Sequence, residues 1–442
     1  MQWLNRAMLK LLTENILDRR SLVKIVKLRE ISELKTGPFG TQFSAKEYVS
    51  EGIPVINVKN IGYGNIIADG LDYVGTSTSE RLSEHKLKTG DIVFGRKGSV
   101  DRHCLITKEQ DGWMQGSDCI RVRLNDTSVN PSFISYYLLT DAVKAKINNS
   151  AVGSTMASLN TDILGDIDIR LPSCEEQYKI ATVLSTIDQK IEKNNKINDY
   201  LEEMAKTIYN YWFVQFDFPD ENGKPYKTNH NDMIYSSATE NVYPANWKIG
   251  SFSDLLSVLK DGTHNPPPRQ KQGIPLLTGK MFGKFFLDYK DATYISEENY
   301  SIIHKTYQPQ VHDIILTKIG TVGTVNILSK ADIPIAIHCN SALIRNNENC
   351  TWEYLFWLMK SPLFQARLAK EISKTVQDFV SLEKIANIKI EIPPLDLIQR
   401  FTTEISAIQH KIENLSSENN RLINLRNWLL PMLMNGQATI ED

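Results

Sequence analysis

Cysteine is scarce in this chain of 442 residues: Cys104, Cys119, Cys174, Cys339 and Cys350 are all it has, and no two of them form a CxxC pair. An odd number without metal-ligand spacing excludes a disulfide framework and a structural zinc site, and makes a reducing compartment the default. Excess charge of either sign is lacking too. With 50 Lys and Arg against 52 Asp and Glu the formal net charge is −2, which excludes a polybasic binder of the histone type. Any anionic partner must therefore meet local patches. No apolar run approaches the roughly eighteen residues of a membrane span.

Catalytic signatures are missing as well. Gly62-Tyr63-Gly64 has neither the third glycine nor the following helix of a dinucleotide fingerprint, and Gly320-Thr321-Val322-Gly323 lacks the Lys-Ser/Thr of a P-loop. Asn265-Pro266-Pro267-Pro268 carries proline where the amino-methyltransferase signature needs an aromatic to stack on a flipped base, and reads as a proline-rich turn. No His/Cys constellation has a metal-ligand spacing, so no metal site is expected.

What is present is an ordinary globular composition, 41% apolar and 23% charged, long enough at roughly 150 residues per domain for about three folding units. Residues 1–20 set Trp3, Leu4, Met8, Leu11, Leu12 and Ile16 against Arg6, Lys10, Glu14 and Arg19, the pattern of an amphipathic helix and not of a signal peptide.

Two distant stretches repeat one another in the same order. Gly52-Ile53-Pro54-Val55 matches Gly273-Ile274-Pro275-Leu276, and Ile167-Asp168-Ile169-Arg170-Leu171-Pro172 matches Ile388-Lys389-Ile390-Glu391-Ile392-Pro393, both 221 residues apart. Asp91-Ile92-Val93 with Arg96 and Gly98 matches Asp313-Ile314-Ile315 with Lys318 and Gly320 at 222. Solenoid repeats run only about 20–50 residues, so this period means two duplicated domains, each with its own core, in a pseudo-two-fold chain. Within each copy, β-like runs (Ile53 to Val58, Asp91 to Phe94, Ile120 to Leu124; Ile274 to Leu277, Ile314 to Thr317, Ala342 to Arg345) alternate with Gly, Asn and Asp turns. Helical stretches are expected at Pro131 to Ile147 and Trp352 to Ile372, giving an α+β fold of two mixed α/β domains.

After each Leu/Ile-Pro boundary the apolar period becomes seven. The a/d positions are Ile180, Leu184, Ile187, Ile191, Asn194, Asn198, Leu201, Ala205, Ile208 and Trp212 in the first copy. In the second they are Phe401, Ile405, Ile408, Ile412, Leu415, Asn419, Leu422, Arg426, Leu429 and Leu433. Each helix alone would pack on a nearby core; as a matched pair they most simply form an antiparallel coiled coil. Centred pairing sets Asn194 against Asn419, and such polar seam residues fix register at some cost in stability. At 1.5 Å per residue, residues 180–212 make a rod of roughly 50 Å.

The ordered, duplicated elements resemble one family, the specificity subunits of type I restriction-modification systems. They include Leu34-Lys35-Thr36-Gly37-Pro38-Phe39-Gly40, Gly90-Asp91-Ile92-Val93, the helix start Leu171-Pro172-Ser173-Cys174-Glu175-Glu176-Gln177, and Tyr211-Trp212-Phe213-Val214-Gln215-Phe216-Asp217-Phe218-Pro219. The second copy departs from the pattern: Leu259-Lys260-Asp261-Gly262-Thr263-His264 replaces the glycine-proline-phenylalanine turn, and Pro393-Pro394-Leu395-Asp396-Leu397-Ile398-Gln399 lacks the paired glutamates. The resemblance implies a non-catalytic subunit in the cytoplasm of a prokaryote, whose two recognition domains each read half of a split target in double-stranded DNA. It further implies two methyltransferase subunits and, through them, restriction/translocase subunits as partners, with S-adenosylmethionine, ATP and Mg held by those partners. The expected organisation is an N-terminal helix (1–20), recognition domains at 21–172 and 244–393, a central helical region at 173–243 and a C-terminal one at 394–442. A duplicated coiled-coil scaffold that binds only proteins is the competing reading, favoured by the near-neutral charge.

Base reading would come from loops at strand ends, where Arg or Lys suits guanine and Asn or Gln suits adenine. The candidates in the first domain are Thr41, Gln42, Asn57, Lys59, Asn60, Arg96, Lys97, Ser99, Ser154 and Thr155. Those in the second are Thr263, His264, Lys280, Lys318, Thr321, His338, Asn340, Thr375 and Gln377. Arg96 and Lys318 lead, each directly after a strand and two residues before a glycine; whether they meet bases or phosphates stays open. The aromatic cluster of Tyr209, Trp212, Phe213 and Phe216 reads as a helix-end core or a docking surface for the methyltransferase, with Trp428, Leu429 and Leu433 at the matching end. If the paired helices act as a ruler, one extra heptad in both, about 10 Å, lengthens the unread gap by roughly three base pairs.

Overall fold

The structure, a computed structural model, describes residues 23–39, 42–151, 157–229, 232–284, 286–289, 292–305, 307–374 and 377–440. The N-terminal helix expected over 1–20 and the candidates Thr41, Ser154, Thr155 and Thr375 lie outside these residues. The chain divides into two compact units, one from residues up to Glu192 together with those from Arg421 onward, the other from Lys193 to Asn420.

In the first unit a five-stranded sheet runs in the order Ser32–Thr36, Cys119–Leu124, Ile92–Gly95, His103–Leu105 and Tyr63–Gly64. A four-stranded sheet is ordered Tyr48–Val49, Asp72–Val74, Ile53–Ile56 and Met114–Gln115. The second unit repeats the plan. Its main sheet is ordered Leu256–Asp261, Ser341–Asn346, Ile314–Thr317 and Val325–Ile327, with a smaller sheet of Thr293–Ile295, Ile274–Leu277 and Ala336–Ile337. Even the register is duplicated: Ile120 pairs with Phe94 as Ala342 pairs with Leu316, each residue 222 positions on.

Asn130 and Thr351 cap the helices Pro131–Leu138 and Trp352–Lys360, accepting from the backbone N–H groups of Phe133 and Tyr354. The single helical stretch expected in each copy is in fact two helices, because the chain breaks and restarts at Asp141–Ser150 and at Pro362–Lys370. Ser361 explains the second break: its side chain caps the new helix and Pro362 stands at the first turn.

The two long helices, Cys174–Tyr209 and Leu395–Met434, run antiparallel to each other within both units. In the first unit Asp188 meets Arg426 at 2.8 Å. In the second, Asn194 donates to Asn419 at 2.9 Å, and Asn198 donates to Ser416 at 3.2 Å. The seam residues Ile180, Leu184, Ile187, Asn194, Ile405, Ile412, Leu415 and Asn419 are buried, while Ile191, Asn198, Leu201, Ile408 and Leu422 are half-buried. Each end of the helical pair joins a unit's own core. Ile180 and Leu184, with Leu433 and Met434, belong to the core around Phe94 and Phe133; Ala205 and Tyr209, with Phe401 and Ile405, belong to the core around Tyr354 and Trp357. The same apolar faces that zip the helices together continue onto the sheets, so the compact units cut through the helical regions.

Candidate nucleic-acid interface

The loops at the strand ends stand on a framework repeated almost atom for atom. Arg123 donates from Nε and Nη2 to the two oxygens of buried Asp91 at 2.7 and 2.6 Å, and Arg345 does the same to buried Asp313 at 2.6 and 2.8 Å. Each arginine also reaches a backbone carbonyl, Lys86 at 3.0 Å and Gln308 at 2.9 Å. The carboxylate hydrogen bonds hold both guanidinium groups above their ordinary range. These ion pairs lock the loops that precede the central strands.

On this frame the backbones of Arg96 and Lys318 are equivalent. Their N–H groups donate to Asp118 O and Asn340 O, both at 2.8 Å, and their carbonyls accept from Leu159 at 2.8 Å and Val380 at 3.0 Å. Gly98 and Gly320 follow in the left-handed region, φ 77° and 82°, which turns both loops back after the cation. Gly37 and Gly262 line the other side: a Cβ on either would sit within 2.2 Å of a carbonyl oxygen, that of Gly116 or Ile337. Only glycine permits that approach.

The side chains differ. Arg96 lies over the ring of Phe39, 4.6 Å from its centroid, and its Nε is buried with no hydrogen-bond partner among the described residues. Lys318 is 3% exposed and pairs with Asp261 at 2.9 Å, with the ring of Phe379 5.2 Å away. The register explains this: Thr36 stands opposite Ile120 where Asp261 stands opposite Ala342, so the first domain has a hydroxyl where the second has a carboxylate. Asp261 was missed in the sequence although the motif around it had been seen to depart from the first copy.

The remaining candidates divide. Gln42, Lys97 and Ser99 are exposed, Lys97 pairing with Asp118 at 3.0 Å. Lys59 is half-exposed beside Asp72 at 2.9 Å. Asn57 and Asn60 are held internally: Asn57 donates to Asp72 and Tyr48, Asn60 is buried and donates to Ile67 O and Asp69 O, and together they cap the turn at 58–60. Their amides are used inside the domain. In the second domain His264, Lys280, Thr321 and Gln377 are exposed, while Thr263, His338 and Asn340 are half-buried. Burial, chiefly, and then the positive charge of Arg269 lower the His338 pKa.

Of the two readings of the aromatic cluster, the structure gives the helix-end core. Tyr209, Trp212, Phe213 and Phe216 are buried in the second unit's own core, Phe213 packing on Phe401 at 5.0 Å and Phe216 on Trp247 at 5.3 Å. Leu433 is likewise buried and Leu429 half-buried, leaving Trp428 exposed. The exposed apolar stripe of the first long helix and its continuation is instead Ile197, Tyr200, Met204, Tyr211 and Val214. Their spacing of three, four, seven and three residues was readable, but they lie outside the a/d register.

Among the described residues no group of His, Cys, Asp and Glu is arranged to hold a metal ion, and no helix is long and apolar enough to cross a membrane. The duplicated scaffold carrying unlike polar loops is that of a DNA-specificity subunit, the class in which the comparisons place it. The chain belongs to the type I restriction modification DNA specificity domain family, whose model matches residues 21–203 and again 244–426. It is similar to the type I restriction enzyme MjaIX specificity subunit of Methanocaldococcus jannaschii, 24% identical over 439 residues, covering 95% of this chain and 94% of the relative. It is also similar to the HindI specificity subunit of Haemophilus influenzae, 22% identical, covering 86% and 94%. Among solved structures, the type I restriction-modification S subunit from M. genitalium shares its fold, with a TM-score of 0.55 at 15% identity over 95% of this chain and 98% of the other. This family membership sets aside the protein-only scaffold.

Proposed function

We propose that the two recognition domains, residues 21–172 and 244–393, each read one half of a bipartite DNA target with an unread gap, and that the chain directs two methyltransferase subunits, and through them restriction subunits, to that target. The observation that carries this reading is the pairing of one repeated framework, the Arg123–Asp91 and Arg345–Asp313 locks, with unlike cations above it, Arg96 stacked on Phe39 without a carboxylate and Lys318 neutralised by Asp261. Scaffolds repeated that closely, with loops that differ in charge, suit two different half-sites. In the first domain Arg96, Lys97, Gln42 and Ser99 are the reading candidates; in the second His264, Lys280, Thr321, His338 and Asn340. The stripe of Ile197, Tyr200, Met204, Tyr211 and Val214 is the docking candidate for a methyltransferase helix, in place of the buried rings. S-adenosylmethionine, ATP and Mg belong to the partners.

The test is to co-express the chain with its methyltransferase subunit and map adenine methylation genome-wide by single-molecule sequencing. One split motif, methylated only when this chain is present, is the expected outcome. Methylation unchanged by the chain's removal sinks the reading.

A further inference from the structure

The loop that carries Arg96 closes on a second arginine. Arg102 donates its backbone N–H to Ser99 O at 3.3 Å and accepts from Gly95 at 3.4 Å, so it stands at the far end of the same turn. Its guanidinium lies 5.3 Å from the centroid of the Tyr63 ring, and Nζ of Lys144, from the helix Asp141–Ser150, lies 5.2 Å from the same centroid. Two cations drawn to one ring repel each other, and neither has a close counter-charge. Among the described residues no carboxylate pairs with Arg102, whose Nε is buried without a partner, and Lys144 has only the fully exposed Asp141 at 3.7 Å. The ring attracts both cations but neutralises neither. An anion does.

The second domain supplies an internal control. At the place of Arg102 it has Thr324, whose N–H donates to Thr317 Oγ1 at 2.9 Å. At the place of Lys144, counted from the matching helix caps Asn130 and Thr351, it has Gln365, whose amide donates to Gly323 O at 3.0 Å and Met359 O at 2.6 Å. At the place of Tyr63 it has Lys284, paired with Asp199 at 2.6 Å and Glu202 at 3.6 Å, so the same corner is internally satisfied in one copy and in the other doubly cationic with only the exposed Asp141 beside it.

We propose that Arg102 and Lys144, held together on Tyr63, form a phosphate-binding point for the DNA backbone that the first recognition domain has and the second lacks. The proposal rests on the DNA-recognition reading above and adds a sequence-independent contact to it. A phosphate contact positions the duplex and adds affinity that salt screens away, without choosing a base.

The test uses the chain in complex with its methyltransferase subunit and a duplex carrying the mapped motif, with affinity measured between 50 and 200 mM salt. Each phosphate neutralised contributes about 0.9 to the slope of log affinity against log salt, so removing this one contact with Arg102→Gln and Lys144→Gln flattens the slope by about 0.9, and each single variant by part of that. Arg102→Lys with Lys144→Arg keeps the slope, and the methylated motif stays the same in all of them. A double variant with the wild-type slope and an unchanged melting midpoint overturns the proposal, as does a changed base in the motif, which would make the contact a base reader. Where the double variant fails to fold, duplexes carrying one neutral methylphosphonate at a time are scanned against the wild type and Arg102→Gln. The expected result is one phosphate whose neutralisation weakens the wild type and not the variant; the absence of any such phosphate overturns the proposal. A wild-type complex with no salt-dependent DNA affinity sinks the recognition reading itself, and this contact with it.

Discussion

A single residue decides whether the cation at the head of each reading loop is available. Asp261 neutralises Lys318 at 2.9 Å, and Thr36 in the matching strand position leaves Arg96 without a carboxylate. Thr36→Asp therefore lowers affinity for the target duplex by roughly 1–3 kcal/mol, the worth of one good base contact, with little change in melting temperature. Fluorescence anisotropy on the complex reads this, and unchanged affinity removes Arg96 from the interface. Burial governs another residue. His103, fully enclosed with Nε2 3.0 Å from Ser135 Oγ, has its pKa lowered from 6.5 to about 3 chiefly by desolvation. It stays neutral in the fold while the unfolded chain takes up a proton near pH 6.5. Its contribution is thus complete above that pH and is lost as pH falls toward 3, by roughly 3–5 kcal/mol at the low end. The loss of urea midpoint between pH 7 and pH 5 is expected to shrink in His103→Gln; an equal loss in wild type and variant refutes this.

Elements were legible where their signal is local. The heptad seam needs only a seven-residue period, and it located the faces that the structure buries, down to Asn194 opposite Asn419. The helix breaks after Leu138 and Lys360 were less legible because apolar residues continue across them; the caps and the proline at 361–362 carried the only signal. The aromatic cluster at the end of the first long helix stayed open between core and docking surface because its burial depends on Phe401, Tyr354 and Trp247, residues far along the chain. The polar seam makes its own prediction. Asn194 donates to Asn419 and to Glu418, and Asn419 donates to Asn195, so Asn194→Leu alone strands polar groups and costs about 1–3 kcal/mol. Asn194→Leu with Asn419→Leu is expected to recover that loss or exceed the wild type, since an apolar seam is the more stable one. Thermal midpoints of the four proteins give the coupling, and additive losses would show that the pair does not set the register.

At the scale of the whole molecule the near-neutral net charge of −2 fits recognition by loops and not by bulk attraction. Duplication was visible from a handful of residues because glycines, prolines and the Asp91/Asp313 position are fixed by backbone geometry. The reading residues were not, since availability depends on partners such as Asp261 and Asp72, which no spacing reveals. The repeat also implies that target halves are separable. Each domain has its own locked framework, and neither the Arg123 nor the Arg345 lock uses a residue of the other copy. Replacing residues 21–172 with the matching segment of another family member is therefore expected to change one half of the methylated motif and leave the other half intact, and replacing 244–393 to do the converse. Single-molecule sequencing of methylated adenines scores both halves at once. If either exchange altered both halves together, the two domains would be reading one continuous site, and the independence inferred from the duplicated locks would be wrong.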